Sequence, residues 1–403
     1  MGRLVVHEEK LNPEIIKELV NICPFGAMEE KNGKIEVTAA CKMCRLCVKK
    51  GPKGVMEFVE DKVEQIDKSL WKGVAVYVDH VEGDIHPVTY ELIGKARELA
   101  GKIKQPVYAV FVGYNIKDKA QELLHYGVDE VFVYDYEELK DFRIEPYTAA
   151  MEDFINKAKP GTLLVGATTV GRSLAPRVAA RFRTGLTADC TILDMKENTD
   201  LVQIRPAFGG NIMAQIVNPN HRPQLATVRY KVMDAPCRSD EISGKINVEY
   251  MDKNKFKSGI DVLKVTKKEV EVGISDADVI VAAGRGVKSE KDMDMIKELA
   301  DLLGAQVAVT RPLVEAGWAD AKLQIGLSGR TVKPKLIITC GISGAVQFAA
   351  GMNNSDVIVS INNDPKASIF NVAHYGIIGD LYAVIPKLIE DIKNDQGVQC
   401  KVM

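Results

Sequence analysis

The sequence predicts an α/β protein: two parallel-sheet domains preceded by a small α+β domain. From residue 70 onward, short buried-type apolar runs alternate with amphipathic stretches, the pattern of β-α units whose helices cover both faces of a mostly parallel sheet. Before residue 67 that alternation is missing, and four of the eight cysteines crowd between positions 23 and 47. A chain of 403 residues suits two or three domains.

The first region, 1–66, carries short strands at 3–7, 34–38 and 55–59, with a helix expected over 12–22. A charged stretch at 60–68 leads into the second region, 70–265. Strands are expected there at 73–78, 107–113, 130–134 and 162–166, with helices at 88–100 and 117–125. From 188 to 251 β patterns and turns dominate, among them Phe208-Gly209-Gly210-Asn211, and the polar run 252–259 reads as a linker. The third region, 270–395, resumes the alternation. Its strands fall at 278–283, 306–310, 336–340 and 357–362, and its helices at 289–303 and 381–393. In the first of these helices Met295, Ile296, Leu299, Leu302 and Leu303 repeat at helical spacing.

Lys+Arg and Asp+Glu nearly balance at 53 and 55, so no charge excess points to nucleic acid. No apolar run is long enough to span a bilayer, and the N-terminus has no cationic and apolar leader pattern. Membrane insertion is therefore not expected. Clustered cysteines at low overall density favour a metal site in a reducing cytoplasm over a disulfide scaffold.

Cys41-x-x-Cys44-x-x-Cys47 puts three thiolates on one tight loop, and a distant Cys23 followed by Pro24 offers a fourth. A [4Fe-4S] cube needs one thiolate per iron, which this arrangement supplies. A Cys₄ zinc site is the alternative, although zinc ligands more often come as two separated pairs. Cys190, Cys237, Cys340 and Cys400 are scattered and read as unreactive thiols. The six histidines show no ligand spacing.

The layout resembles a two-[4Fe-4S] ferredoxin from which one cluster has been lost. Positions 19, 16 and 13, where the ligands preceding Cys23 would stand, are Leu19, Ile16 and Pro13, and the fourth position beyond Cys47, where another ligand would stand, is Gly51, followed by Pro52. Gly284-Arg285-Gly286 follows a strand and opens a helix, as phosphate-cradling turns do, but Ser289 stands where a dinucleotide fingerprint has its third glycine. A second glycine turn, Gly341-Ile342-Ser343-Gly344, lies between a later strand and helix. The loops Leu327-Ser328-Gly329-Arg330 and Asn362-Asn363-Asp364-Pro365 add polar groups.

From Gly284 to Asp380 the chain resembles the FAD domain of electron-transfer flavoprotein α subunits, in GRG, TRPLVEAG, QIGLSG, GISGAVQFAAGM, INNDPKASIF and YGIIGDL. GATTVGRSLAPR, RTGLTADC and PAFGGNIMAQI extend the resemblance through the central region. It implies two Rossmann-like domains after a ferredoxin-like one, with FAD on the last. By position, Arg311 would lie against the flavin ring and Ser328 would reach N5. Arg285 and Ser343 would bind the pyrophosphate, Asn362 and Asp380 the adenosine half, and Gln324 and Gly329 would line the loop between. Gly284, Gly286, Thr310, Gly344 and Gln347 complete the expected set. Two positions depart from the family pattern: Phe348 stands where a histidine is common, and Leu327 where a glutamine is common.

The resemblance also implies partners: an electron-transfer flavoprotein β subunit, an FAD-dependent dehydrogenase and ferredoxin. Members with an N-terminal iron–sulfur module resemble components of anaerobic flavin-based bifurcating complexes coupling NAD(H), ferredoxin and a substrate. One retained cluster is more like the lactate dehydrogenase type than the caffeyl-CoA reductase type. A conventional carrier to a quinone-linked dehydrogenase, and a nucleotide-binding module with structural zinc, are the competing readings. No catalytic constellation for substrate dehydrogenation is recognisable in the chain itself.

Overall fold

The structure, a computed structural model, describes residues 2–60, 66–207, 212–266 and 273–394. It divides into two compact units, Met1–Ile66 and Asp67–Met403.

In the first unit, β1 (Gly2–Val6) is followed by α1 (Pro13–Ile22), a hairpin of β2 (Met28–Lys31) and β3 (Lys34–Val37), α2 (Leu46–Lys50) and β4 (Met56–Glu60). β1 and β4 pair antiparallel. The start of α1 is set by Asn12, whose Oδ1 accepts from Ile15 N at 2.8 Å, and by Pro13 in the first turn. The hairpin turns on Asn32 and Gly33, with φ of 54° and 76°, the left-handed pair a tight two-residue turn requires. Ile16 and Leu19 are core residues at 2% and 0% exposure. They pack with Met28, Ile35, Cys47, Val55 and Met56.

The second unit holds two parallel sheets. Its first part runs β5 (Val74–Tyr77), a small hairpin of β6 (His80–Val81) and β7 (Asp84–Ile85), α3 (Pro87–Ile103), β8 (Val107–Gly113), α4 (Ala120–Leu124), β9 (Glu130–Asp135), α5 (Ile144–Ala158), β10 (Thr162–Gly166) and α6 (Thr169–Arg181). β11 (Leu186–Cys190) leads into an antiparallel trio, β12 (Ile192–Met195), β13 (Leu201–Ala207) and β14 (Ile212–Val217). β15 (Gln224–Val228) and β16 (Lys245–Val248) return to the main sheet. The sheet order is β11-β15-β10-β5-β8-β9-β16, parallel throughout. The chain first builds outward from β5 and then crosses back to lay β10 on its other side. The strand period of two sends Val74 and Val76 to one face and Ala75 and Tyr77 to the other. The turn expected at Phe208–Asn211 lies outside the described residues.

The polar run 252–259 is more than a linker. Asp252 caps a short 3₁₀ turn, Lys253–Phe256, and Phe256 is buried 4.9 Å from the Tyr136 ring. One aromatic anchor staples the segment to the first sheet.

The remaining chain forms β17 (Val279–Ala283), α7 (Met293–Leu302), β18 (Gln306–Val309), α8 (Arg311–Glu315), β19 (Leu336–Cys340), α9 (Val346–Ala349), β20 (Val357–Asn362), β21 (Tyr375–Ile378) and α10 (Leu381–Asn394). The order β18-β17-β19-β20-β21 is again parallel, with the direction of growth reversing between β17 and β19. Among the described residues no helix is long and apolar enough to cross a membrane.

A buried ion pair fastens the antiparallel trio to the first sheet. Asp200 Oδ1 receives Arg222 Nη2 at 2.8 Å and Lys68 Nζ at 2.7 Å, and the Arg222 side chain is fully buried. Burial opposes the Asp200 charge, yet the hydrogen bonds from Lys68 and Arg222 hold its carboxyl below the usual carboxylate range. Asp200→Ala leaves the guanidinium buried without its counter-ion and is expected to cost about 3–5 kcal/mol in urea unfolding. Adding Arg222→Met should recover most of the loss. A single variant within about 1 kcal/mol of wild type would show that the pair does not anchor the trio.

Candidate functional site

All strands of the second sheet point the same way, so the loops after β17, β18, β19 and β20 gather at one edge. Ligands bind at such an edge, where the direction of sheet growth reverses. A cavity of about 670 Å³ opens there. Its floor depends on missing side chains. A Cβ on Gly284 would sit 2.5 Å from Gly341 O, and one on Gly286 2.7 Å from Gly341 Cα. Gly344, at φ 84°, would drive a Cβ to 2.1 Å from Ile369 N.

Of the residues expected from sequence, Arg285, Gly286, Thr310, Arg311, Gln324, Ser328, Ser343, Gln347, Asn362 and Asp380 line this cavity. Gly284 and Gly344 stand behind the lining as backbone crossing points, and Gly329 faces a different cavity. Leu327 and Phe348, the two departures from the family pattern, both face in. Lys288 and Asn363 line it as well and were missed. Lys288 lies just beyond the glycine turn, and a phosphate-cradling loop commonly has a cation at that place.

The polar groups are held in definite roles. Gln324 Nε2 donates to Ser328 Oγ at 2.9 Å, which leaves the Ser328 hydroxyl proton free to donate elsewhere. Asn362 donates to Ile342 O at 2.8 Å and accepts from Asp364 N at 2.9 Å, tying two rim loops together. Asp380 Oδ1 accepts from Tyr382 N at the start of α10. Arg311 opens α8, exposed, with Nε 2.8 Å from Glu315 Oε1. Thr310 Oγ1 is buried and has no hydrogen-bond partner among the described residues, a group that is usually satisfied when buried. Three lining cations, Arg285, Lys288 and Arg311, face one lining acid, Asp380, so the cavity favours an anion. Its volume is in the range of cofactor sites.

A second cavity, about 440 Å³, lies between the two sheets and includes Asp79, His80, His86, Thr168, Arg229 and Arg330. Across it Arg229 Nη2 donates to Asp189 Oδ2 and to Leu327 O, each at 3.1 Å, so the end of β15 holds a loop of the first cavity. The chain just after Arg229 is a strap between the sheets. Tyr230 donates to Asp276, Asn354 to Lys231 O, and Lys333 pairs with Asp234. Glu91 of α3 fixes the strap from below, accepting Lys231 N at 3.0 and 3.2 Å.

In the first unit, Cys23, Cys41, Cys44 and Cys47 line one small pocket. Met43 and Arg45, at φ 52° and 61°, curl the loop that carries three of them. Ala27 N donates to Cys23 Sγ at 3.3 Å and Met43 N to Cys41 Sγ at 3.4 Å. Among the described residues no group of three or more His, Cys, Asp or Glu side chains is set to hold a metal ion. Cys190 and Cys340 are buried thiols pushed up to about 12 by burial, in keeping with inert core residues.

Residues 74–253 match the electron transfer flavoprotein domain, and residues 273–353 match the electron transfer flavoprotein FAD-binding domain. The chain belongs to the electron-transfer flavoprotein α-subunit family. The lactate dehydrogenase (NAD(+),ferredoxin) subunit LctC of Acetobacterium woodii is 63% identical over 397 residues, 98% of this chain and 95% of that protein. The electron transfer flavoprotein α subunit of Thermoanaerobacterium thermosaccharolyticum is 45% identical over 80% of this chain and 98% of its own length. That of Megasphaera elsdenii is 43% identical over 83% of this chain and all of its own. A thiamin diphosphate-dependent enzyme from Mycobacterium smegmatis, 11% identical, superposes with a TM-score of 0.20 over 80% of this chain and 60% of that one, too weak a likeness to carry weight. In this electron-transfer flavoprotein α subunit most of the residues lining the cavity of the second sheet fall within the stretch that matches the FAD-binding domain.

The strap carries a pH dependence. Burial raises the Glu91 carboxyl to about 7, against the lowering effect of the Lys231 and Met233 backbone N–H groups. A folded-state pKa above the unfolded value means that the folded chain holds the proton more tightly. The stabilisation is full below about 4.5 and is lost as pH rises through 7. Glu91→Gln should therefore flatten the fall in melting temperature between pH 5 and pH 8. Parallel profiles for variant and wild type would remove Glu91 from the account.

Proposed function

We propose that this chain holds FAD in the cavity of the second sheet and one [4Fe-4S] cluster in the four-cysteine pocket of a ferredoxin-like first unit. It relays electrons between the flavin of a β subunit, ferredoxin and a flavin dehydrogenase. The observation that carries the proposal is the cationic, glycine-floored cavity at the reversal point of the second sheet, within a chain of this family. Bound FAD supplies one- or two-electron chemistry and a cube supplies one-electron chemistry.

The chain's own residues do the rest. Arg285 and Lys288, with the loop at Ser343, bind the diphosphate. The unpartnered Thr310 hydroxyl takes a polar ligand atom. Ser328, its lone pair occupied by Gln324, donates its proton toward the flavin N5. Arg311 places a permanent positive charge beside the ring, moderated by Glu315. Asn362 and Asp380 hold the adenosine half. With Phe348 in place of an imidazole, that edge of the cavity is apolar, and Arg311 carries more of the charge stabilisation.

In the first unit, the shared pocket, the left-handed turns at Met43 and Arg45 and the N–H donors to Cys23 and Cys41 suit thiolates around a cluster. The relatives from Thermoanaerobacterium and Megasphaera are matched almost whole by about four-fifths of this chain, whereas the subunit named for NAD(+) and ferredoxin matches nearly all of it. That favours an NAD- and ferredoxin-linked bifurcating or confurcating complex acting on lactate in the cytoplasm. A conventional carrier, or a caffeyl-CoA reductase subunit, is the lesser reading.

The test is anaerobic absorption with iron, sulfide and zinc analysis of the purified chain. About four irons with flavin bands are expected. Cys41→Ser should lose iron and keep flavin, while Arg285→Ala should weaken FAD binding about 10–100-fold, the loss of a charge-assisted hydrogen bond. Flavin with zinc and no iron would overturn the cluster; full FAD affinity in Arg285→Ala would overturn the diphosphate assignment.

A further inference from the structure

The first unit is unevenly charged in a way that its core does not require. Between residues 38 and 56 there are five cations, Lys42, Arg45, Lys49, Lys50 and Lys53, and no Asp or Glu. The acids of this unit lie on other elements, and several are matched locally: Glu36 and Glu29 by Lys31, Glu8 by Lys34 and Glu57 by His7. Lys42, Lys49, Lys50 and Lys53 are exposed and have no ion-pair partner among the described residues. Exposed Phe25 and Met43, at 48% and 45%, lie in the same region, and Phe25 borders the cysteine pocket.

Two simpler roles account for only part of this. Cations near a thiolate-bound cluster offset its negative charge, and Lys42 and Arg45 line the pocket and can do so. Lys49 and Lys50 also close α2, where cations complement the last carbonyls. Lys53 lies beyond the helix, however, and Lys49, Lys50 and Lys53 do not line the pocket. Exposed cations together with a few exposed apolar side chains suit a weak, fast, electrostatically steered interface.

We infer that the face formed by Phe25 and residues 42–53 is the docking surface for an acidic electron-carrier protein of the ferredoxin type. The inference rests on the cluster assignment proposed above and adds to it the surface and the sign of its partner. The lysines steer the carrier's acidic face, and Phe25 and Met43 supply the contact beside the cysteine pocket. Cys44, exposed on the same loop, marks the short route for an electron.

The test is a binding titration, without turnover, of an acidic two-cluster ferredoxin onto the full chain across a series of salt concentrations. Iron, flavin and cluster potential are measured on the same samples. Wild type should bind, and its affinity should fall steeply with added salt. K49E/K50E/K53E should bind about tenfold or more weakly at low salt with a flattened salt dependence, at unchanged iron, flavin and potential. A control reversal of exposed lysines on the second unit, K387E/K393E, should bind as wild type does. No binding by wild type, equal binding by the triple variant, or equal affinity for a DNA duplex each overturns the docking surface. A shift in potential without a loss of binding overturns it too, and assigns the lysines to the cluster's charge. Absence of iron in wild type sinks the cluster assignment independently of any binding result.

Discussion

The flavin-domain site depends on two backbone turns that touch with no side chain between them. β17 and β19 are neighbours, and their following turns meet through Gly284, Gly286 and Gly341. Gly286 N donates to Gly341 O at 2.9 Å, and Gly284 N to Cys340 O at the same distance. A Cβ added at Gly284, Gly286 or Gly341 would stand 2.5, 2.7 or 2.8 Å from its nearest neighbour, closer than real Cβ atoms approach, so the loops would have to part. The adjacency brings Arg285 and Ser343, distant in sequence, to one cavity wall. Gly344 repeats the device against Ile369, whose N–H donates to Ser343 O at 3.0 Å. The charge of the cavity therefore follows from the topology: a parallel sheet that reverses its growth here must leave loop N–H groups and helix starts facing one point.

The same cavity is not wholly owned by its own sheet. The Leu327–Gly329 loop is held from within by Gln324 and from outside by Arg229, at the end of β15 in the first sheet. Arg229 divides its guanidinium between Asp189 and Leu327 O, so the loop's position is tied to the first sheet's charge network. The strap that follows spreads the attachment over Asp276, Lys333 and Asn354. These are individually small terms at partly exposed positions. Their number matters more than any one of them: a junction made of several weak polar contacts can hold a position and still release it at modest cost.

Most of this was legible where the physics is local. Strands at 107–113, 162–166 and 357–362 were read to the residue, because a buried parallel strand is a short apolar run with turn residues at both ends. The cysteine loop and the glycine turns were legible for a similar reason, since their residue types are constrained by chemistry in place. What pairing decides was not legible. β15 follows the antiparallel trio and β16 a long irregular stretch, and nothing in their sequences says that one lies beside β10 and the other at the far edge beside β9. The antiparallel trio read only as a β-rich region. Phe256 was lost inside a polar run, because one aromatic among lysines carries no periodicity. Lys288 and Asn363 were missed at the cavity because their loops had already been accounted for by neighbouring motif residues.

The first unit depends on a very small apolar core. A unit of some sixty residues is near the lower limit at which apolar burial alone sustains a fold, and small domains usually need a staple. Ile16 and Leu19, seven and four residues before Cys23, sit on a regular α1 and are buried against Met28, Val55 and Met56. Each fully buried side chain of that kind contributes about 1.5–3 kcal/mol of transfer free energy. Apolar packing thus sustains this part of the unit, while Cys47, itself part of that core, ties it to the cysteine pocket, so the pocket shares the rigidity of the core.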